Sequence, residues 1–178
     1  MRALCLAIIS VALAADTAAA PSVALTREGG AFRLRAQFAV KAPAKTVWAV
    51  LTDYDGMTGF VSNLRKSRVA SRTPDGAYIK QEGVARLMIF SRRVSLTLKV
   101  VETPPDRLEF VDVEGKEFEE YEGSWTIEES SEVSRVSYEL FAEMRPSMVP
   151  RAAAKRALEH SVRRQLRQVQ AEIERRAA

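Results

Sequence analysis

The sequence has a single cysteine, Cys5, and a single histidine, His160. A zinc ribbon or a disulfide framework needs several such side chains, so both are excluded. Glycine and proline are scarce, at 8 and 7 of 178 residues, which excludes a collagen-like or low-complexity chain. No glycine-rich loop of phosphate-cradling spacing occurs, so nucleotide binding has no support. The one long uncharged run, Ala3 to Ala15, is shorter than the ~20 residues that span a bilayer. What is present is the balance of a soluble globular chain: 47% hydrophobic residues, 28% charged, and a net charge of +4. Apolar residues recur along the whole length, which excludes disorder and predicts one domain.

The N-terminus reads as a secretory leader over residues 1–20. Met1-Arg2 is a short positive start. The apolar run follows, then small residues at Ala12-Leu13-Ala14 and Ala18-Ala19-Ala20. Pro21 disfavours a cut directly after Ala20, so cleavage is expected between Ala14 and Ala20. Such a leader implies a periplasmic or secreted protein. An uncleaved anchor is the competing reading, and the length of the run argues against it. Removing Arg2 and Asp16 leaves the charge at +4, and Cys5 leaves with the leader, so the mature chain has no thiol.

Beyond the leader, Phe32, Leu34, Ala36, Phe38 and Val40 alternate with polar or small residues, which predicts a half-buried strand. Val47, Val50, Leu51 and Tyr54 fall at helical spacing behind Pro43, predicting a helix over residues 43–53. Asp55 could cap a second short helix carrying Met57, Phe60 and Val61. Further strands are predicted over 64–73, 78–87, 94–100, 108–113, 121–127 and 136–144. Thr73-Pro74-Asp75-Gly76, Thr103-Pro104-Pro105-Asp106 and Gly115-Lys116 punctuate them. From Arg151 onward there is no glycine or proline, and Leu158, Val162, Leu166, Val169 and Ile173 make one stripe of a long helix. The expected fold class is therefore α+β: an antiparallel sheet of about six to seven strands, two short helices after the first strand, and a long C-terminal helix. That helix must bury its stripe, and the open face of the sheet is the only large partner. A curved sheet gripping a helix encloses space, where small-molecule sites usually lie.

The segment Ala42-Pro43-Ala44-Lys45-Thr46-Val47-Trp48-Ala49-Val50-Leu51-Thr52-Asp53-Tyr54-Asp55-Gly56-Met57 resembles the opening of the polyketide cyclase/dehydrase and lipid-transport superfamily, the START-like helix-grip domains. Phe60-Val61-Ser62-Asn63-Leu64, Gly123-Ser124-Trp125 and Val149-Pro150 resemble later stretches of it. The likeness spans residues 31–176, and the coenzyme Q-binding group is the most similar branch. It implies a curved sheet wrapped around the last helix, and a cavity for a hydrophobic small molecule, a lipid or an isoprenoid quinone. The same scaffold hosts carriers, cyclases and partner-binding modules, so the fold does not choose between them.

The residues themselves favour a non-catalytic binder. Asp53 and Asp55 read as helix termination and capping, not as a metal site. His160 lies among basic residues, off the apolar stripe, and reads as a rim histidine without an orienting partner. No cofactor and no metal are expected. Trp48 reads as core. Tyr121, Gly123, Trp125 and Ile127 share one strand face, so Trp125 should border the cavity, with Gly123 leaving room beside the indole. Tyr121, Leu96, Leu98, Tyr138, Leu140 and Met144 are further expected lining residues, with Met88 and Phe90 weaker candidates. Leu158, Val162 and Leu166 are expected as the opposite wall. The last helix carries eight basic residues (Arg151, Lys155, Arg156, Arg163, Arg164, Arg167, Arg175, Arg176) against Glu159, Glu172 and Glu174. A solvated face is the ordinary reading; docking on an anionic membrane is the sharper one. Nucleic acid is not expected as a partner. An acidic patch, Glu117, Glu119, Glu120 and Glu122, stands opposite in sign. A cyclase/dehydrase-type enzyme and a protein-interaction module remain open as alternatives. A charged group such as Glu82 or Arg86 inside the cavity would favour the enzyme.

Overall fold

The structure is a computed structural model that describes residues 19–87, 90–145 and 151–178, and their side chains except at 85–87, 90, 151–154 and 157. The elements are β1 (Ser22–Glu28), β2 (Ala31–Val40), α1 (Ala44–Leu51), a 3-10 turn (Gly56–Gly59), β3 (Leu64–Thr73), β4 (Gly76–Leu87), β5 (Phe90–Thr103), β6 (Arg107–Asp112), β7 (Phe118–Ser130), β8 (Val133–Met144) and α2 (Arg151–Ala177). All strands pair antiparallel in one curved sheet, ordered β1-β2-β8-β7-β6-β5-β4-β3.

Two expectations are corrected. The sheet has eight strands, not six to seven. The extra one is β1, an edge strand in which only Leu25 is buried, so its sequence carries almost no alternation. It lies before the span 31–176 that the resemblance covers. The second short helix is a single 3-10 turn, and α1 follows the second strand. Gly56 and Gly59 bound that turn, and glycine is a poor helix former. Asp55 does not cap it: its Oδ1 accepts from the Val69 amide at 2.9 Å and ties the turn to β3. The leader falls outside the described residues except for Ala19 and Ala20, as do Pro146, Val149, Pro150 and Met88.

Pro43 precedes α1 with φ −68° and ψ 152°, extended backbone that cannot prolong the helix backwards. The first helical amide, Ala44 N, donates to Glu129 Oε2 at 2.8 Å. A carboxylate from β7 thereby sits at the positive end of α1.

The inward register runs through five neighbouring strands of the sheet. Leu34 pairs with Leu140, Leu140 with Gly123, Gly123 with Phe110, and Phe110 with Val100. Leu34, Val136, Val47, Val50, Leu166 and Ile173 close the core almost completely, each at 1% exposure or less. α2 lies over this concave face and touches α1, β4, β2 and β1. Its C-terminal end is fastened by charge. Arg176 Nη2 donates to Asp53 Oδ2 at 2.6 Å, while Glu172 accepts from Arg175 at 2.7 Å and from Arg176 at 2.6 Å. These guanidinium hydrogen bonds, Arg175's first, hold the Glu172 carboxyl down at about 2. Asp53 therefore fixes the last helix, and also accepts from the Gly56 amide at 3.1 Å.

Candidate functional site

Between the concave face and α2 the packing opens into two adjoining lobes of about 80 and 180 Å³. They share Met57, Val61, Gln81, Tyr121, Tyr138 and Gln165. The smaller lobe reaches toward α1 and is walled by Tyr54, Phe110, Trp125 and Val169. The larger runs along β4, β5 and the earlier part of α2, past Leu96, Phe118, Leu158 and Val162.

The sequence-expected residues divide as follows. Trp125 and Leu98 line the smaller lobe. Leu96, Leu140, Leu158 and Val162 line the larger. Tyr121 and Tyr138 line both. Two expected residues do not line either lobe. Leu166 is 1% exposed and belongs to the solid core, because it lies deeper along α2 than Val162. Met144 packs against the core near the end of β8. The helix residues beside Trp125's lobe are Gln165 and Val169, where Leu158, Val162 and Leu166 were expected. The side chain of Phe90 lies outside the described ones.

The space expected beside Gly123 is also filled. A Cβ built there would come within 2.5 Å of Phe110 Cζ and would strike the Glu139 carbonyl. Phe110 occupies the vacancy, with its ring centroid 6.0 Å from Tyr121 and 6.2 Å from Tyr138. Trp125 packs on Tyr138 at 4.4 Å and Phe118 on Tyr121 at 4.8 Å, so aromatic rings form a continuous wall.

The polar groups in this wall are uncharged. Gln81 donates from Nε2 to Ser67 Oγ at 3.2 Å and toward Met57 Sδ at 3.6 Å. Burial pushes the Tyr121 phenol up to about 12, against a smaller opposing effect of the Tyr138 hydroxyl. Burial likewise raises the Tyr138 phenol well above its ordinary value. The Tyr54 hydroxyl donates to Glu102 Oε1 at 2.9 Å, and burial followed by that hydrogen bond raises its pKa. Glu102 is held in turn by Arg72 at 3.3 Å. All three phenols stay protonated at neutral pH.

Sequence reasoning missed Tyr54, Phe110, Gln81 and Gln165 as lining residues. A signal for the glutamines existed. Gln81 continues the inward register of Ala77 and Ile79, and Gln165 stands three residues after Val162 and four before Val169. A polar residue on an apolar face is the informative exception.

The described charged candidates lie elsewhere, and the side chain of Arg86 lies outside the described ones. Glu82 is exposed and pairs with Lys66 at 3.2 Å. His160 is exposed, with its Nε2 2.7 Å from Arg164 Nη2. Trp48 packs against the core. A wider hollow of about 370 Å³ crosses the outer face of the sheet. It is a shallow trough over solvated ion pairs, such as Arg35–Glu139 at 3.2 Å and Arg107–Glu109 at 2.9 Å, and offers no enclosed wall.

A family model described as polyketide cyclase / dehydrase and lipid transport matches residues 40–169, which takes in the lobes and most of α2. The chain belongs to this family. Solved structures share the family's fold with this chain. The aromatase/cyclase Zhui from Streptomyces sp. R1128 superimposes with a TM-score of 0.72 at 16% identity, over 83% of this chain and 96% of its own. The STAR-related lipid transfer protein (fragment 25–204) from Xanthomonas axonopodis gives 0.70 at 17% identity, over 86% and 93%. A START superfamily protein from Mycobacterium smegmatis gives 0.65 at 13%, over 80% and 97%. No curated protein matches the sequence. Identities this low carry the fold alone, and the polyketide cyclase and lipid-transport family binds hydrophobic small molecules on it.

Proposed function

We propose that this chain binds and carries a hydrophobic small molecule in the cell envelope, without transforming it. The observation that supports this best is the pair of adjoining lobes, open in part to solvent and walled by apolar and aromatic side chains of sheet and helix. Burial of an apolar ligand there contributes ~25 cal/mol per Å², enough for micromolar binding after association costs. A lipid or an isoprenoid quinone is the ligand class that the resemblance of residues 42–64 suggests. The envelope location rests on the leader-like N-terminus. The exposed Lys155, Arg156 and Arg167 form no salt bridge among the described residues, and they support docking on an anionic membrane from which ligand is loaded. Glu82, whose presence in the cavity would have favoured an enzyme, points elsewhere.

The test is extraction of protein purified from the native periplasm, followed by mass spectrometry of the extract. A lipid or quinone should accompany the parent protein near one to one. A Val162→Trp variant, purified in parallel, should carry less than a tenth as much. Two empty proteins, or two equally loaded ones, would overturn the reading.

A further inference from the structure

The lobes discriminate by charge and polarity as well as by size. Among the described side chains lining them there is no lysine, arginine, aspartate, glutamate or histidine. An ionised group buried here would meet no counter-charge among the described side chains, and an unpaired charge is far costlier to bury than a neutral polar group. Two amides meet where the lobes adjoin. The Nε2 of Gln81 is engaged by Ser67 and Met57, while its carbonyl oxygen accepts no hydrogen bond among the described residues. The Gln165 amide makes none either, as donor or as acceptor, among the described residues. Together they leave an acceptor on the sheet side and both an acceptor and a donor on the helix side. Around them stand rings, Tyr121 and Tyr138 in both lobes and Phe110 and Trp125 in the smaller. An apolar cavity of about 150 Å³ takes up one benzene ring. The larger lobe, at about 180 Å³, is of that class, and the smaller adds little more.

We infer that the chamber takes up a neutral, ring-bearing group of one or two rings that hydrogen-bonds to Gln165 and Gln81, the residues that read it, with any tail left outside the lobes. This rests on the binding function proposed above and narrows its ligand class. It excludes carboxylate and phosphate head groups from the chamber. Any such group would have to stay at the protein surface, and a two-chain phospholipid would not fit within.

The test uses the full-length mature protein and three probes of one skeleton: naphthalene, 1-naphthamide and 1-naphthoate. Binding is followed by Trp125 emission in a Trp48→Phe background and by calorimetry at pH 7.5. The amide and the carboxylate have nearly the same shape and differ in charge. 1-Naphthamide should bind at least 100-fold more tightly than 1-naphthoate, and about tenfold more tightly than naphthalene. Gln165→Leu should remove the tenfold advantage of the amide while leaving naphthalene affinity unchanged. Gln81→Leu should do so in part. If naphthoate binds as well as naphthamide, the neutral selection is wrong although the chamber binds. If Gln165→Leu and Gln81→Leu both leave the amide's advantage intact, the glutamines do not read the ligand. If no probe binds, the chamber itself is not a site, and the binding function falls with this inference.

Discussion

The two ends of one concave face behave differently. Around Leu34, Val47, Val136 and Ile173 the interior is solid, and all four are wholly buried. Where β4 to β7 meet the earlier part of α2, rings and glutamines stand apart and leave the two lobes. The same sequence alternation builds both ends, so alternation does not separate them. The difference is in shape. The solid end uses compact branched side chains that interdigitate. The hollow end uses Trp125, Tyr138, Tyr121, Phe110 and Phe118, flat rings packed at a tilt against each other so that they prop the wall open. One end supplies stability, and the other leaves space unfilled.

Identical substitutions at the two ends break this comparison most sharply. Val136→Trp adds a ring to a site with no free volume and should abolish folding, seen as lost near-ultraviolet circular dichroism. Val162→Trp adds the same ring to the wall of the larger lobe. It should cost less than ~1.5 kcal/mol in urea unfolding while reducing ligand affinity at least tenfold. Equal losses of stability at the two sites would mean that the lobes close in solution.

Ile173→Ala tests the solid end from the helix side. It should cost ~3 kcal/mol by urea unfolding and leave affinity for 1-naphthamide within twofold. Gly123→Ala comes next. The added methyl meets both the Glu139 carbonyl and Phe110, for a cost of ~2 kcal/mol, and displacement of Phe110 should change ligand-induced quenching of Trp125. A stability loss with unchanged quenching would separate Phe110 from the binding wall.

The smallest effect concerns the fastening of α2. Glu172 titrates at about 2 in the folded protein, below its ordinary 4.5. Its contribution is therefore present above roughly pH 4.5 and is lost as pH falls toward 2. Glu172→Gln should lower stability by ~1 kcal/mol at pH 7, and the gap from the parent should close with acidification through that window. A gap that stays constant would show that packing, and not the guanidinium pairing, accounts for the loss.

Period-two and period-three-to-four patterns alone determined most of the architecture: the seven strands from β2 to β8, α1, and the α2 stripe through Val162, Leu166, Val169 and Ile173. The turns at Thr73-Pro74-Asp75-Gly76 and Gly115-Lys116 were readable because proline and glycine restrict or free the backbone in known ways. β1 was not readable, because an edge strand with one buried residue needs no alternation. The face bearing Tyr121 and Trp125 followed from register; the inward direction of Gln81 is legible by the same rule, although it was not among the expected lining residues. Only the tertiary structure decided which inward residues enclose space and which fill it. Leu166 and Val162 have the same helical credentials, yet one is sealed in the core and the other borders a lobe. Gly123 looked like an opening until Phe110 on the neighbouring strand was seen to occupy it. Periodicity is a property of one element and fixes the direction of a side chain. A cavity is a property of the distance between elements, and that distance is set by side chains far apart in the sequence.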